Sequence, residues 1–142
     1  MLKVVLDANI FVSAVLKPHS GLAKIFELIG EDKIKLILSE DILSEIRVVL
    51  LYPKIRRRHR RSQKEIDEFL NKASQASILA QGRIDIDEIR EDPADNKYLS
   101  AALEAKADFI VSGDRHLKDL KVFEGMRILD PSAFLVLMTK EV

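Results

Sequence analysis

Four acidic residues of this 142-residue chain stand where an α/β protein can do chemistry: Asp7, Glu45, Asp95 and Asp114. Asp7 follows the apolar run Leu2-Lys-Val-Val-Leu6, and Asp114 follows Phe109-Ile-Val111 through the turn Ser112-Gly113. Both fall at the carboxyl ends of expected strands, where open parallel sheets bind their ligands. Asp95 stands in the first turn of an expected helix whose Leu99, Ala102 and Leu103 share its face. A helix leading into a parallel strand runs antiparallel to it, so Asp95 and Asp114 are expected at the same sheet edge. Glu45 falls in an apolar sector among Ile42, Ile46 and Val49, where an isolated charge is very costly. Facing carboxylates repel unless protonated or bridged by a cation. Hard cations such as Mg²⁺ or Mn²⁺ take carboxylates, waters and substrate phosphate as ligands. The expected chemistry is metal-dependent hydrolysis of a phosphate ester.

Each acid also has a plainer use. Asp92 before Pro93 reads as a helix N-cap. Asp95 could serve the helix dipole, and Asp114 could be an ordinary turn residue. Glu45 could pair with Arg47 or another cation. His19, His59 and His116 share no ligand spacing and receive no metal role. Ser13 and Ser112 lack an evident histidine base, and the five glycines form no phosphate-cradling loop.

The elements that must position these residues follow from periodicity. Strands are expected at 2–6, 34–38, 78–80, 109–111 and 126–129, alternating with helices. A first short helix covers Ile10 to Leu16, and the stripe Leu22, Ile25, Phe26, Ile29 stops at Gly30. Ser39 caps a helix to about Leu51, Tyr52-Pro53 interrupts it, and another runs from Lys64 to Ala76. Asp130-Pro131 starts the last helix by the same device as Asp92-Pro93. Strands too apolar to have a wet face argue for a parallel sheet covered on both sides. One domain spanning 1–142 is expected.

Composition limits the function classes. Apolar residues make up 47%, which argues against disorder, and there is no cysteine, which excludes disulfides and thiolate metal sites. No apolar run approaches the roughly 18 residues of a membrane span, so no membrane partner is expected. No secretory signal pattern opens the chain, and a cytoplasmic location is expected. Net charge is zero, with 23 basic and 23 acidic residues, so no global field draws the protein to nucleic acid. Charge is segregated, however: Lys54, Arg56, Arg57, Arg58, Arg60 and Arg61 put six cations in eight positions. Such a run is either a solvated face or a contact for a phosphate backbone. The apolar Ala133-Phe-Leu-Val-Leu-Met138 exceeds what one buried face requires, leaving core packing or a subunit contact open.

Val5-Leu-Asp7-Ala-Asn9, Leu43-Ser-Glu45-Ile46, Asp92-Pro-Ala-Asp95-Asn-Lys-Tyr-Leu99 and Ile110-Val-Ser-Gly-Asp114-Arg-His-Leu117 resemble the PIN domain (PilT N-terminus) family, in the right order along nearly the whole chain. They look most like its toxin–antitoxin branch. The resemblance implies a Mg²⁺- or Mn²⁺-dependent single-strand ribonuclease holding one or two ions. It implies a three-layer α/β/α sandwich on a parallel five-stranded sheet ordered 3-2-1-4-5. Asp7, Glu45, Asp95 and Asp114 would form the acidic quartet. Asp7 and Asp95 would be direct metal ligands, Asp114 and Glu45 would complete the site partly through water, and Asn9 and Ser112 would support it. Ala8 departs from the family's more usual Thr. A homodimer and a cognate antitoxin are further implications.

Two alternatives stand beside this. A haloacid-dehalogenase-type phosphatase also has an aspartate after its first strand, and Gly113-Asp114-Arg-His-Leu-Lys-Asp119 mimics its late acidic motif. Asn9, however, stands where its second acid should be, and Asp92-Pro-Ala-Asp95 is left without a role. A non-catalytic domain that binds RNA or protein is the other; the presence of all four acids speaks against degeneration.

Overall fold

The structure is a computed structural model describing residues 1–89 and 93–141, with the side chains of residues 140 and 141 left aside. Asp92, expected as an N-cap, lies outside the described residues.

The central strands are continuous apolar runs because both of their faces are covered. β1 (Leu2–Leu6) and β2 (Ile34–Ser39) bury Val4, Val5, Leu6, Leu36, Ile37 and Leu38 almost completely. Each fully buried Ile or Leu is worth about 1.5–3 kcal/mol relative to exposure. β3 (Ile78–Ala80), β4 (Phe109–Val111), β5 (Val122–Phe123) and β6 (Met126–Leu129) complete a sheet ordered β3-β2-β1-β4-β6-β5. The five expected strands are there, in parallel pairings, within an α/β/α layered fold.

The expected five-stranded, all-parallel sheet needs one correction. A sixth strand, β5, pairs antiparallel with β6 at the edge. Gly125 (φ +81°) and Glu124 (φ +50°) turn the chain between the two. Two residues separated from β6 by so short a turn leave no alternation to read, which is why periodicity passes over them.

The helices are α1 (Ala8–Leu16), α2 (Ala23–Gly30), α3 (Glu40–Leu51), α4 (Pro53–His59), α5 (Gln63–Gln75), α6 (Asn96–Ala105), α7 (Arg115–Leu120) and α8 (Pro131–Glu141). α4 and α7 were not among the expected helices. Ser39 caps α3 by accepting from the Ile42 amide (3.2 Å), and Ser62 with Glu65 forms a capping box on α5. α4 is a separate short helix started by Pro53 and ended by Arg60 in the left-handed conformation (φ +58°). It is clamped by His59, whose Nε2 donates to the Leu50 carbonyl (2.8 Å) while its Nδ1 accepts from the Arg61 amide (2.9 Å). α6 packs against β1, β2, β3 and β4, burying Tyr98, Leu99, Ala101 and Ala102. α8 buries Phe134 and Met138, one turn apart, while Val136 is 55% exposed. Among the described residues no helix is long and apolar enough to cross a membrane.

Candidate metal centre

Strand order reverses at β1, which pairs with β2 on one side and β4 on the other. Leu6 pairs with Val111, so the next residues, Asp7 and Ser112, leave the sheet side by side. The Asp7 amide donates to the Val111 carbonyl (3.2 Å), and the buried Ser112 hydroxyl donates to Asp7 Oδ2. Ser112 Oγ in turn accepts from the Asp114 amide (2.9 Å), so one hydroxyl ties the two strand ends together. Asp7 Oδ1 caps α1 through the Ile10 amide (3.2 Å). Asp114 Oδ1 caps α7 through the amides of His116 (2.9 Å) and Leu117 (3.3 Å). Capping and a metal role are compatible, because a carboxylate offers about four lone-pair sites.

Asp7 is only 3% exposed, and burial pushes its carboxyl above the usual value. The hydrogen bonds from Ser112 and from the Ile10 amide oppose that shift without cancelling it. A cation nearby would remove the penalty on the ionised form.

Asp95 closes a 3₁₀ turn (Pro93–Asp95) at the head of α6 and makes no side-chain capping bond to that helix. It is 9% exposed, and its carboxylate meets Asp114 and His116. One ligand atom from each of these three lies within 4.8 Å of the others. The helix-to-strand reasoning thus brings Asp95 and Asp114 to one place, as expected. His116, given no role from the sequence, joins them: Nδ1 is 3.7 Å from Asp114 Oδ1 and 4.0 Å from Asp95 Oδ2. That nitrogen is buried and has no hydrogen-bond partner among the described residues. Histidine spacing gives no sign of it, because the neighbours of His116 are the carboxylates Asp95 and Asp114 and not other histidines. Two acids and a buried unsatisfied nitrogen facing one another are a donor set that fits a divalent cation.

Glu45 is held differently. Tyr98 Oη donates to Glu45 Oε1 and accepts from the Ala8 amide (3.0 Å), joining α3 to the start of α1. Lys97 Nζ lies 2.6 Å from Glu45 Oε2. Burial, with the contact to Glu45 adding to it, pushes the Tyr98 phenol far above its usual value, so it remains a donor. The cation that satisfies Glu45 is Lys97 and not Arg47, which pairs with Asp67 (2.8 Å). Lys97 and Tyr98 follow Asp95-Asn96 directly, so the acid just before α6 and the partners of Glu45 in its first turn are adjacent in sequence. Asn96 serves the neighbouring segment: its Oδ1 accepts from the amides of Glu88 (3.2 Å) and Ile89 (2.8 Å), and its Nδ2 donates to the Ile89 carbonyl (2.9 Å).

Two clefts flank these residues. One of about 420 Å³ is lined by Asp7, Asn9, Ser13, Asp114 and Arg115; Asn9 is exposed there beside Asp7. The other, about 760 Å³, is lined by Ser44, Glu45, Val48, Lys97 and Ser100. The basic run is not brought into this cluster. Lys54, Arg56, Arg57, Arg58, Arg60 and Arg61 are exposed along and beyond α4, where four of the arginines line a separate cleft with Leu51 and Glu65. Among the described residues none of the six forms an ion pair.

The chain is 35% identical over 120 residues to an uncharacterized protein of Methanocaldococcus jannaschii, a match covering 84% of this chain and 76% of that protein. Its fold is similar to that of VapBC2 from Rickettsia felis, solved bound to a DNA fragment from their promoter. The TM-score is 0.59 at 14% identity, over 91% of this chain and 98% of that one. A sequence model of the PIN domain matches residues 3–116, an interval that holds Asp7, Glu45, Asp95 and Asp114. The match leaves the phosphatase alternative without support: this chain belongs to the PIN domain family.

Proposed function

We propose that this protein is a divalent-cation-dependent endoribonuclease that hydrolyses phosphodiester bonds of single-stranded RNA. The observation that carries the proposal is the convergence of Asp95, Asp114 and the unsatisfied His116 nitrogen beside the strand ends bearing Asp7. The residues fit Mg²⁺ or Mn²⁺, one or two ions, with Asp7, Asp95 and Asp114 as carboxylate ligands and Asn9 and Ser112 as supports. A bound ion would activate a water and neutralise charge on the phosphodiester. The chain's own residues do the positioning. Ser112 fixes the orientation of Asp7 and, through the Asp114 amide, its distance from the second strand end. Tyr98 and Lys97 hold Glu45 at the rim, where it completes the acidic quartet, and Lys97 places a positive charge beside the wider cleft.

Lys54, Arg56, Arg57, Arg58, Arg60 and Arg61 supply phosphate-backbone contacts at a distance from the acids. By analogy with the Rickettsia felis VapBC2, and with the toxin branch that the sequence resembles, the protein acts as a toxin component restrained by a cognate antitoxin, as a homodimer, in the cytoplasm. Residues 1–142 act as a single functional domain.

The test is cleavage of single-stranded RNA with Mn²⁺, with Mg²⁺ and with chelator, beside Asp7→Asn and Asp95→Asn. Cleavage is expected with a cation only, and both variants should be inactive. Cleavage that persists in chelator, or full activity in both variants, overturns the mechanism.

A further inference from the structure

We propose that His116 is a direct nitrogen ligand of the ion in the crevice, and that it makes the site prefer a first-row transition dication such as Mn²⁺ over Mg²⁺. The inference rests on the metal-dependent reading above and sharpens it from a carboxylate site to a mixed one.

His116 is the second residue of α7, and its backbone amide is fixed by Asp114 Oδ1 at 2.9 Å. The imidazole is therefore anchored beside the same carboxylate that its side chain faces. The 3.7 Å and 4.0 Å from Nδ1 to the two carboxylates are too long for N–H···O hydrogen bonds. They match ligand atoms sharing one ion: two atoms each about 2.0–2.2 Å from a cation stand roughly 3–4 Å apart. A buried nitrogen left without a partner is uncommon and needs a reason. A cation in the space it faces satisfies it and takes the two carboxylates as further ligands.

The identity of the donor selects among cations. Mg²⁺ is a hard ion that takes oxygen ligands and keeps its waters, so an imidazole adds little to its binding. First-row transition dications gain from nitrogen donors, and the gain grows from Mn²⁺ towards Cu²⁺. The two carboxylates alone would hold either class of ion, so His116 is the residue that tells them apart.

The experiment uses the full chain and Mn²⁺ itself as the probe. Pulsed electron paramagnetic resonance of the Mn²⁺-loaded protein reads nitrogen coupling to the ion, and calorimetry with Mn²⁺ and Mg²⁺ gives the affinity ratio. Wild type is expected to show histidine nitrogen coupling. In His116→Gln and His116→Ala the coupling should vanish, and Mn²⁺ affinity should fall roughly tenfold or more, the scale on which ligand-sphere changes act. Mg²⁺ affinity should change far less. Melting of the apo variants checks folding, and the more conservative Gln variant keeps a polar side chain of similar reach. Mn²⁺ bound by wild type without nitrogen coupling, or an unchanged Mn²⁺/Mg²⁺ ratio in both variants, overturns the ligand role of His116 while leaving a metal site intact. A wild type that binds neither ion overturns both this inference and the reading beneath it. A histidine acting only as a countercharge would give the first of these failures.

Discussion

At the scale of the residue, Asp7 illustrates how a functional group is held against its own preference. Burial raises its pKa above the ordinary aspartate value, so ionisation is disfavoured in the folded protein relative to the unfolded chain. The sign follows from proton linkage. Below the unfolded pKa the carboxyl is protonated in both states and there is no penalty. As pH rises from about that value through the higher folded pKa, stability is lost. Asp7→Asn should therefore raise the melting temperature of the cation-free protein at neutral pH, and the gain should shrink towards zero near pH 3. The same variant should lose the stabilisation that Mn²⁺ gives wild type, and its RNA cleavage should fall more than roughly a hundredfold, beyond what loss of a metal ligand's outer partners produces. Thermal melts across pH, with and without Mn²⁺, check both halves. Tyr98 is the complementary case. Its phenol satisfies Glu45 and the Ala8 amide together. Tyr98→Phe leaves a buried amide and a carboxylate oxygen without that partner, which costs about 1–3 kcal/mol. The urea midpoint should drop accordingly, and cleavage should weaken because Glu45 and the start of α1 lose their link.

Elements are positioned here by polar ties as much as by apolar faces. The segment 81–89 has no helix or strand of its own, yet it is pinned to α6 by Asn96, by Glu104 and by Ser100, whose hydroxyl donates to the Ile84 carbonyl. Asn96 holds Glu88 and Ile89, while Glu104 accepts from the amides of Gln81 (2.5 Å) and Arg83 (2.8 Å). Those donors hold the Glu104 carboxyl below its usual value. Asn96→Ala should speed hydrogen exchange at the Ile89 amide by roughly an order of magnitude or more, since losing a buried partner releases about 1–3 kcal/mol of protection. Exchange in β1 and β2 should be unaffected. Exchange that accelerates equally in the central strands would mean that Asn96 supports the whole fold and not this segment. None of these ties was legible in the sequence, because each joins residues whose spacing follows no period. The helix α6 itself was, since Leu99 and Ala102 announce its buried face. Its exact start was not: Asp95 ends a 3₁₀ turn and leaves the first helical position to Asn96.

The whole molecule carries no net charge, but its charges are sorted. The acids converge at the strand ends while six cations stand without ion pairs among the described residues on and after α4. If the cations bind phosphates, each one neutralised in Arg56→Gln, Arg57→Gln and Arg60→Gln should lower the slope of log affinity against log salt by up to about 0.7 for single-stranded RNA. The Asp7→Asn variant should leave that slope unchanged. Titrations at several salt concentrations measure it. A slope that does not respond to the arginines would make the run a solvated face.

What the chain determines by itself is what is local or periodic. Continuous apolar runs give the five parallel strands, Ser39 gives a cap, and acids after β1 and β4 give the edge of the sheet where a site can form. The antiparallel sense of a helix feeding a parallel strand was enough to bring Asp95 to Asp114. Tertiary structure alone decided the partners. That Glu45 takes Lys97 and Tyr98, that Asp7 takes Ser112, and that His116 turns its nitrogen to two carboxylates depend on side chains brought together from distant parts of the chain. Hydrogen bonds and ligand sets require atoms within a few ångströms. Sequence patterns place elements and their faces, and only packing brings those atoms within reach.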